Sequence, residues 1–278
     1  MRRIRPLDEI RRLDPERDHQ RIVYLDVCFE FPWDTTRALE FALYRTYAVP
    51  SIGRLLASTG ELTRRPQKRY DDTDLILSTI CERGYDSTEG RAAIRQMNRI
   101  HRRFEIANED YLYVLSAVTF EPIRWNARFG WRPLLEVERL ATFVFWREVG
   151  RRMGIRDIPA DYQEFERFNV DYERERFAYT DEGRAVGLAT RDLFLSWFRA
   201  PRGLGAPVVH ALMDERLRRA MGFPEPPRAV VAVVEGALRA RSRVAGRLPP
   251  RRRPRLRTTR RIRSYPSGYA IEELGPAA

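Results

Sequence analysis

Residues 88–104 read TEGRAAIRQMNRIHRRF, and their apolar members recur at the spacing of one helix face. These members are Ala92, Ile94, Met97, Ile100 and Phe104. Their period predicts an amphipathic α-helix whose apolar side faces a core. His101 lies about one turn from Met97 and adjoins that apolar side, so we expect its imidazole to be largely buried.

A buried imidazole in this position has two interpretations. It can be a core histidine whose ring nitrogens are both hydrogen-bonded, which is the common case. Alternatively, one nitrogen can point into a haem-sized cavity, where it would be a natural axial ligand for iron. The position alone leaves both interpretations open.

The rest of the chain is also predicted to be a series of helices. Further amphipathic stretches are predicted at 34–44, 71–82, 108–120, 133–153, 160–175, 181–198, 204–221 and 228–243. Thr180 and Asn108 precede acidic residues as helix caps do, and Pro133 suits a first helical turn. Neither βαβ alternation nor an internal repeat is present. The sequence therefore predicts an all-α fold in one multi-helix domain.

The charge of the chain is concentrated near its end. The net charge is +12 over 278 residues, and residues 239–263 alone hold twelve arginines and no acid. Beyond Val244, one glycine and three prolines interrupt the arginine-rich run. We therefore divide the chain into a helical domain, 1–243, and an Arg/Pro-rich tail, 244–278, which is predicted to be disordered.

Such a tail has several possible partners. Its arginines could neutralise anionic lipid head groups in a peripheral membrane contact, or the phosphates of a nucleic acid, which we consider the weaker of the two. It could also be a solubilising extension that has no fixed partner. The sequence does not decide among these.

Most familiar catalytic signatures are missing from the sequence. It contains no GxSxG, Walker loop or HExxH, and no pair of Glu-x-x-His motifs of the kind used by di-iron helix bundles, while Cys28 and Cys81 form no CxxC motif. Its three histidines are far apart, which disfavours a multi-histidine metal site. His19 lies in a charged segment and is predicted to be solvated, whereas His210 is predicted to be structural.

The N-terminal residues 1–18 lack the apolar core of a signal peptide. No run approaches the roughly 20 apolar residues of a membrane span. We therefore expect a cytoplasmic protein.

Four segments together resemble one known family. They are RYDDT (69–73), MNRIH (97–101), IANEDYLYVLS (106–116) and EPIRW (121–125). In residue type and in their order along the chain, they are similar to the MpaB and rubber-oxygenase catalytic family. The resemblance covers roughly residues 20–235, and it is closer to the fungal MpaB branch than to latex-clearing protein.

This resemblance implies an all-helical, distantly globin-like domain that holds haem b through one proximal histidine. His101 matches that iron ligand, while Arg69 and Thr73 match polar residues that line the haem pocket and are the candidate catalytic groups. A guanidinium can pair with a haem propionate, and a hydroxyl four residues later can orient a bound ligand or water. The implied activity is that of an oxidoreductase: dioxygen cleaves a C=C bond of an apolar or isoprenoid substrate.

The resemblance has limits. Latex-clearing protein carries a lysine just before the threonine, where this chain has Asp72, and its catalytic glutamate has no clear match here. The chemistry on the distal side of the iron is therefore not carried over. Two other functions remain: a haem binder without catalysis, and a helical scaffold whose tail binds nucleic acid or an anionic membrane.

Overall fold

The structure is a computed structural model that describes residues 5–198 and 202–276. Within these residues the chain forms fourteen α-helices and no β-strand, which confirms the all-α prediction. The first seven are α1 (Pro6–Ile10), α2 (His19–Leu25), α3 (Pro32–Tyr47), α4 (Pro50–Thr59), α5 (Glu61–Arg64), α6 (Pro66–Arg83) and α7 (Thr88–His101). The other seven are α8 (Asn108–Phe129), α9 (Glu136–Arg152), α10 (Tyr162–Arg176), α11 (Asp181–Ser196), α12 (Arg202–Ala211), α13 (Glu215–Ala220) and α14 (Arg228–Arg247).

Local sequence explains where these helices begin. Proline occupies the first position of α1, α3, α4 and α6, where its fixed φ suits a helix and its missing N–H is not needed. Ser87 caps α7 by accepting a hydrogen bond from the Gly90 amide at 2.9 Å. Thr180 caps α11 in the same way, as predicted, and accepts from the Gly183 amide at 3.0 Å.

The helix α8 is the centre of the domain. It packs against α3, α9 and α10, and α6 lies against α7 on the other side of the core. The helices α4 and α11 cross very closely, because Gly53 and Gly183 meet at the crossing. A Cβ atom at Gly53 would lie 2.8 Å from the carbonyl oxygen of Tyr47 and 3.1 Å from the Cα of Gly183. This crossing and the α6–α7 pair border an apolar cavity inside the domain.

Several predicted boundaries differ from the structure. Helix α9 begins at Glu136 and not at Pro133, and α8 is capped from Ala107. Asn108 instead uses its side chain to bridge to the backbone of Arg156, at 2.9 and 3.0 Å. The predicted helix over 204–221 is two helices, since Asp214 caps α13 by accepting from the Leu217 amide at 2.9 Å.

The prediction of a disordered tail is wrong for residues 248–276, which we call the C-terminal arm. The arm runs across α6 and α7 without forming a long helix of its own. Its side chains Ile262 and Leu274 are 2% and 1% exposed, so the arm contributes to the core. Burial of this kind is not compatible with a freely solvated tail.

Acidic residues of α6 explain why an arginine-rich segment is held in place. Asp74 forms an ion pair with Arg257, and Asp71 accepts hydrogen bonds from the amide and hydroxyl of Ser264 at 3.1 and 2.7 Å. Glu82 accepts from the hydroxyl of Thr258 at 2.5 Å. The composition of the tail shows its positive charge but not this acidic surface, which forms only when the helix is folded.

Candidate active site

One large cavity, of about 280 Å³, lies inside the helical domain. Helices α3 to α9 and α11 surround it, and its walls are mainly aliphatic and aromatic. Its volume is near the lower end of the range of roughly 300–1,000 Å³ for small-molecule sites. The end of the C-terminal arm completes the wall, since Gly275 and Pro276 also line the cavity.

His101 is the last residue of α7 and borders this cavity together with Met97 and Ile100. The sequence-based prediction that it adjoins the apolar face is confirmed. The ring of Tyr111 stands edge-on to the imidazole, with the two ring centroids 5.4 Å apart. The Nδ1 atom of His101 is buried and has no hydrogen-bond partner among the described residues. His101 is therefore not a core histidine with both nitrogens hydrogen-bonded.

The surroundings of His101 favour its neutral form. Burial, together with the smaller effect of the nearby positive charge of Arg69, lowers the pKa of the imidazole to about 4. A neutral imidazole has one nitrogen with a free lone pair, which is the form that coordinates a metal. At neutral pH, the cavity therefore contains a nitrogen donor that is ready to act as a ligand.

Arg69 and Thr73 lie on α6, one turn apart, and both border the same cavity. The guanidinium of Arg69 donates a hydrogen bond to the hydroxyl of Thr73, which in turn donates to the backbone oxygen of Arg69 at 3.2 Å. Within the described part of the chain, no carboxylate forms an ion pair with Arg69. The three site residues chosen from the sequence are thus brought to one cavity, which contains a cation without a counter-ion.

Asp72 also borders the cavity but is already engaged by other side chains. Its carboxylate lies 2.9 Å from the ammonium of Lys68, the only lysine of the chain, and it accepts a hydrogen bond from the hydroxyl of Tyr265. The same ammonium donates to the backbone oxygen of Gly275 at 2.7 Å. Asp72 and Lys68 therefore tie the C-terminal arm to α6 at the edge of the cavity.

A polar group that the sequence did not reveal is Glu40 on α3. It is 4% exposed, borders the cavity, and accepts hydrogen bonds from Tyr70 at 2.7 Å and from Arg37 at 2.6 Å. Burial raises the pKa of its carboxyl to about 7, against the opposing effects of Arg37 and Tyr70. Glutamate on an amphipathic helix usually faces solvent, and tertiary contacts such as the one with Tyr70 of α6 place this one inside.

The other two histidines lie elsewhere. The prediction that His19 is solvated is wrong: it is 9% exposed and its ring contacts the hydroxyl of Tyr85 and the backbone oxygen of Glu16, the latter at 2.8 Å. His210 is 2% exposed and stacks on Phe223 with 4.5 Å between ring centroids. Neither residue borders the large cavity.

The donor set restricts the kind of metal site that the described residues can build. No cluster of three or more histidine, cysteine, aspartate or glutamate side chains in them could hold a bare ion. His101 is a single nitrogen donor in an apolar cavity, which suits a metal whose other ligands come from a macrocycle. In the described residues, no helix combines the length and the apolar character that a membrane span needs.

Comparison with known proteins identifies the family of this domain. The family model described as "ER-bound oxygenase mpaB/B'/Rubber oxygenase, catalytic domain" matches residues 38–248. ER-bound oxygenase mpaB of Penicillium roqueforti is 29% identical over 215 residues, which are 70% of this chain and 72% of that protein. ER-bound oxygenase mpaB' of Penicillium brevicompactum is 28% identical over 242 residues, or 80% of this chain and 57% of the relative.

A second relative from Penicillium brevicompactum, ER-bound oxygenase mpaB, is 26% identical over 224 residues, again 57% of its own length. The family match covers more than half of the chain and includes α6, α7 and most of the residues that line the cavity. The chain therefore belongs to the mpaB and rubber-oxygenase catalytic-domain family and is an oxidoreductase of the oxygenase class.

Proposed function

We propose that this oxygenase depends on haem b and that His101 is the axial ligand of its iron. One observation carries the proposal: a neutral, partly buried imidazole, whose buried Nδ1 atom has no hydrogen-bond partner in the described residues, borders the large apolar cavity. A buried polar atom without a partner costs free energy, and a ligand is one common reason why a protein keeps such an atom.

The residues around His101 fit a haem. The apolar walls suit the faces of a flat macrocycle, and the guanidinium of Arg69, which has no ion-pair partner in the described residues, suits a propionate. The edge of Tyr111 against the imidazole limits the orientations that the ring can adopt. When bound, haem would supply the activation of dioxygen, which no side chain in the cavity can perform.

The protein's own contribution is to bind, orient and exclude water. Aliphatic side chains of α4, α5 and α11 also line the cavity, and they suit an apolar or isoprenoid chain. Thr73 presents a hydroxyl that is fixed by Arg69, so it can hold a small polar ligand or a water molecule in one orientation. We propose that the reaction is the oxidative cleavage of a C=C bond held in this dry cavity.

Membrane contact and location remain predictions. The exposed residues Arg251, Arg252 and Arg253 of the arm could contact anionic lipid head groups. Arg257 is less available, because it is paired with Asp74. We propose that the protein is cytoplasmic and that the arm can make a peripheral contact with a membrane.

The haem proposal is tested by the absorption spectrum of the full chain, expressed with an adequate supply of haem. We expect a Soret band of stoichiometric intensity that stays with the protein through gel filtration. Purified protein that is folded by circular dichroism but colourless, and that takes up no added haem, would overturn the proposal. A bound haem with no turnover of any apolar alkene would instead favour a carrier or sensor.

The lowered pKa of His101 predicts an unusual pH dependence of haem binding. An ordinary histidine becomes protonated below its pKa of 6.5, whereas this imidazole stays neutral until about pH 4. The folded state binds fewer protons here than the unfolded chain between these values, so its stability falls as the pH is lowered through that window. Protons nevertheless compete with iron for the imidazole of His101 only near its lowered pKa of about 4. We expect the Soret band to persist to about pH 5, and release with a midpoint near 6.5 in a still-folded protein would contradict this.

A further inference from the structure

A second cavity of about 50 Å³, with both polar and apolar side chains in its walls, lies beside the large one, between α3, α6 and the C-terminal arm. Both cavities are lined by Glu40, Leu43, Tyr70, Thr73 and Leu77. The two spaces are therefore separated only by these side chains. We call the smaller space the side pocket.

Three arginines of the arm, Arg255, Arg257 and Arg260, line the side pocket. Arg257 is paired with Asp74, and Asp71 lies 3.7 Å from it. In the described part of the chain, no carboxylate is within ion-pair distance of Arg255 or Arg260. Partial burial and the neighbouring charges of Arg255 and Arg257 lower the pKa of Arg260, which shows that the three cations are crowded.

The acidic groups that line the side pocket already accept hydrogen bonds or ion pairs from other groups. Glu40 accepts from Arg37 and Tyr70. Glu82 accepts from the backbone and the hydroxyl of Thr258, and Asp74 holds Arg257. The guanidinium groups of Arg255 and Arg260 are thus the uncommitted donors at this pocket.

We propose that the side pocket binds the carboxylate head group of an amphiphilic substrate whose apolar chain occupies the large cavity. The small size of the pocket, about 50 Å³, suits a compact head group such as a carboxylate. A guanidinium matches a carboxylate because both are planar and can form two parallel hydrogen bonds. The assignment of this anion as substrate rests on the proposed function, whereas the binding of a carboxylate does not depend on haem.

The proposal is tested by isothermal titration calorimetry of the full chain with dodecanoate, dodecan-1-ol and dodecylamine, all below their aggregation limits. We expect dodecanoate to bind most tightly. In the double variant Arg255→Ser/Arg260→Ser, its affinity should fall by about tenfold or more, because charge-assisted hydrogen bonds are lost. The affinity for dodecan-1-ol should stay unchanged in this variant.

The matched control is Arg251→Ser/Arg252→Ser, which removes two exposed charges of the same arm that do not line the pocket. Equal affinities of wild-type protein for dodecanoate and dodecan-1-ol would overturn the proposal. The proposal would also be overturned if Arg255→Ser/Arg260→Ser lost haem but kept its affinity for dodecanoate, since the side pocket would then hold a haem propionate. Preference for dodecanoate in a protein without a Soret band would contradict the haem proposal and leave the carboxylate site standing.

Discussion

Replacing His101 with alanine is expected to abolish haem retention while the helical content of the protein stays nearly constant. In the described residues, no other histidine borders the cavity, so no imidazole can take over the iron. Mutation of a residue that only orients a metal ligand typically lowers metal affinity by about 10–100-fold, and removal of the ligand itself should lower it further. The fold should tolerate the change, because His101 ends α7 and its ring borders an existing cavity.

The measurement is the ratio of Soret to protein absorbance after gel filtration, together with far-ultraviolet circular dichroism. His210→Gln is the matched control, since it alters a buried histidine of similarly lowered pKa that packs on Phe223 and not on the cavity. Added imidazole should partly restore the Soret band of His101→Ala by occupying the vacated position. Stoichiometric haem in His101→Ala without imidazole would exclude His101 as the ligand.

The helical periodicity of the sequence was sufficient to predict the all-α class and the position of His101 on an apolar face. Arg69 and Thr73 are four residues apart, which places them on the same side of α6 in any helical structure. The proximity of these two residues to His101, in contrast, cannot be predicted from helix spacing. It depends on how α6 packs against α7, and no local pattern contains that information.

Charged residues are the part of the site that sequence reasoning handled least well. Glu40 and Asp72 look like solvent-facing positions of their helices, yet both are buried, at 4% and 3% exposure. Each is stabilised by partners distant in the sequence, such as Tyr70 for Glu40 and Tyr265 for Asp72. His19 is a similar case, because it is buried by contact with Tyr85, which lies in the connection between α6 and α7. Such burial follows from tertiary contacts that propensity and composition do not encode.

Deleting the C-terminal arm after Leu248 is expected to destabilise the domain strongly, contrary to what its composition suggests. The deletion removes Ile262 and Leu274, each nearly fully buried, and burial of one such side chain contributes about 1.5–3 kcal/mol. It also leaves Asp71 and Asp74 on α6 without the guanidinium of Arg257, which pairs with both carboxylates. At roughly 2–4 °C per kcal/mol for a large domain, we expect the melting temperature to fall by about 10 °C or more.

The cavity should be affected together with the stability, because Gly275 and Pro276 form part of its wall. Thermal unfolding followed by circular dichroism tests the first effect, and the rate of haem loss to an acceptor protein tests the second. The control is Arg251→Ser/Arg252→Ser/Arg253→Ser, which removes three exposed charges and should change stability by no more than about 0.5 kcal/mol per substitution. If the truncated chain melted at the same temperature as the full chain and kept its haem equally well, the arm would be a dispensable tail after all. A fall in both properties, with the triple variant unchanged, would establish that the arm acts through its buried contacts with α6 and α7 and not through its net charge.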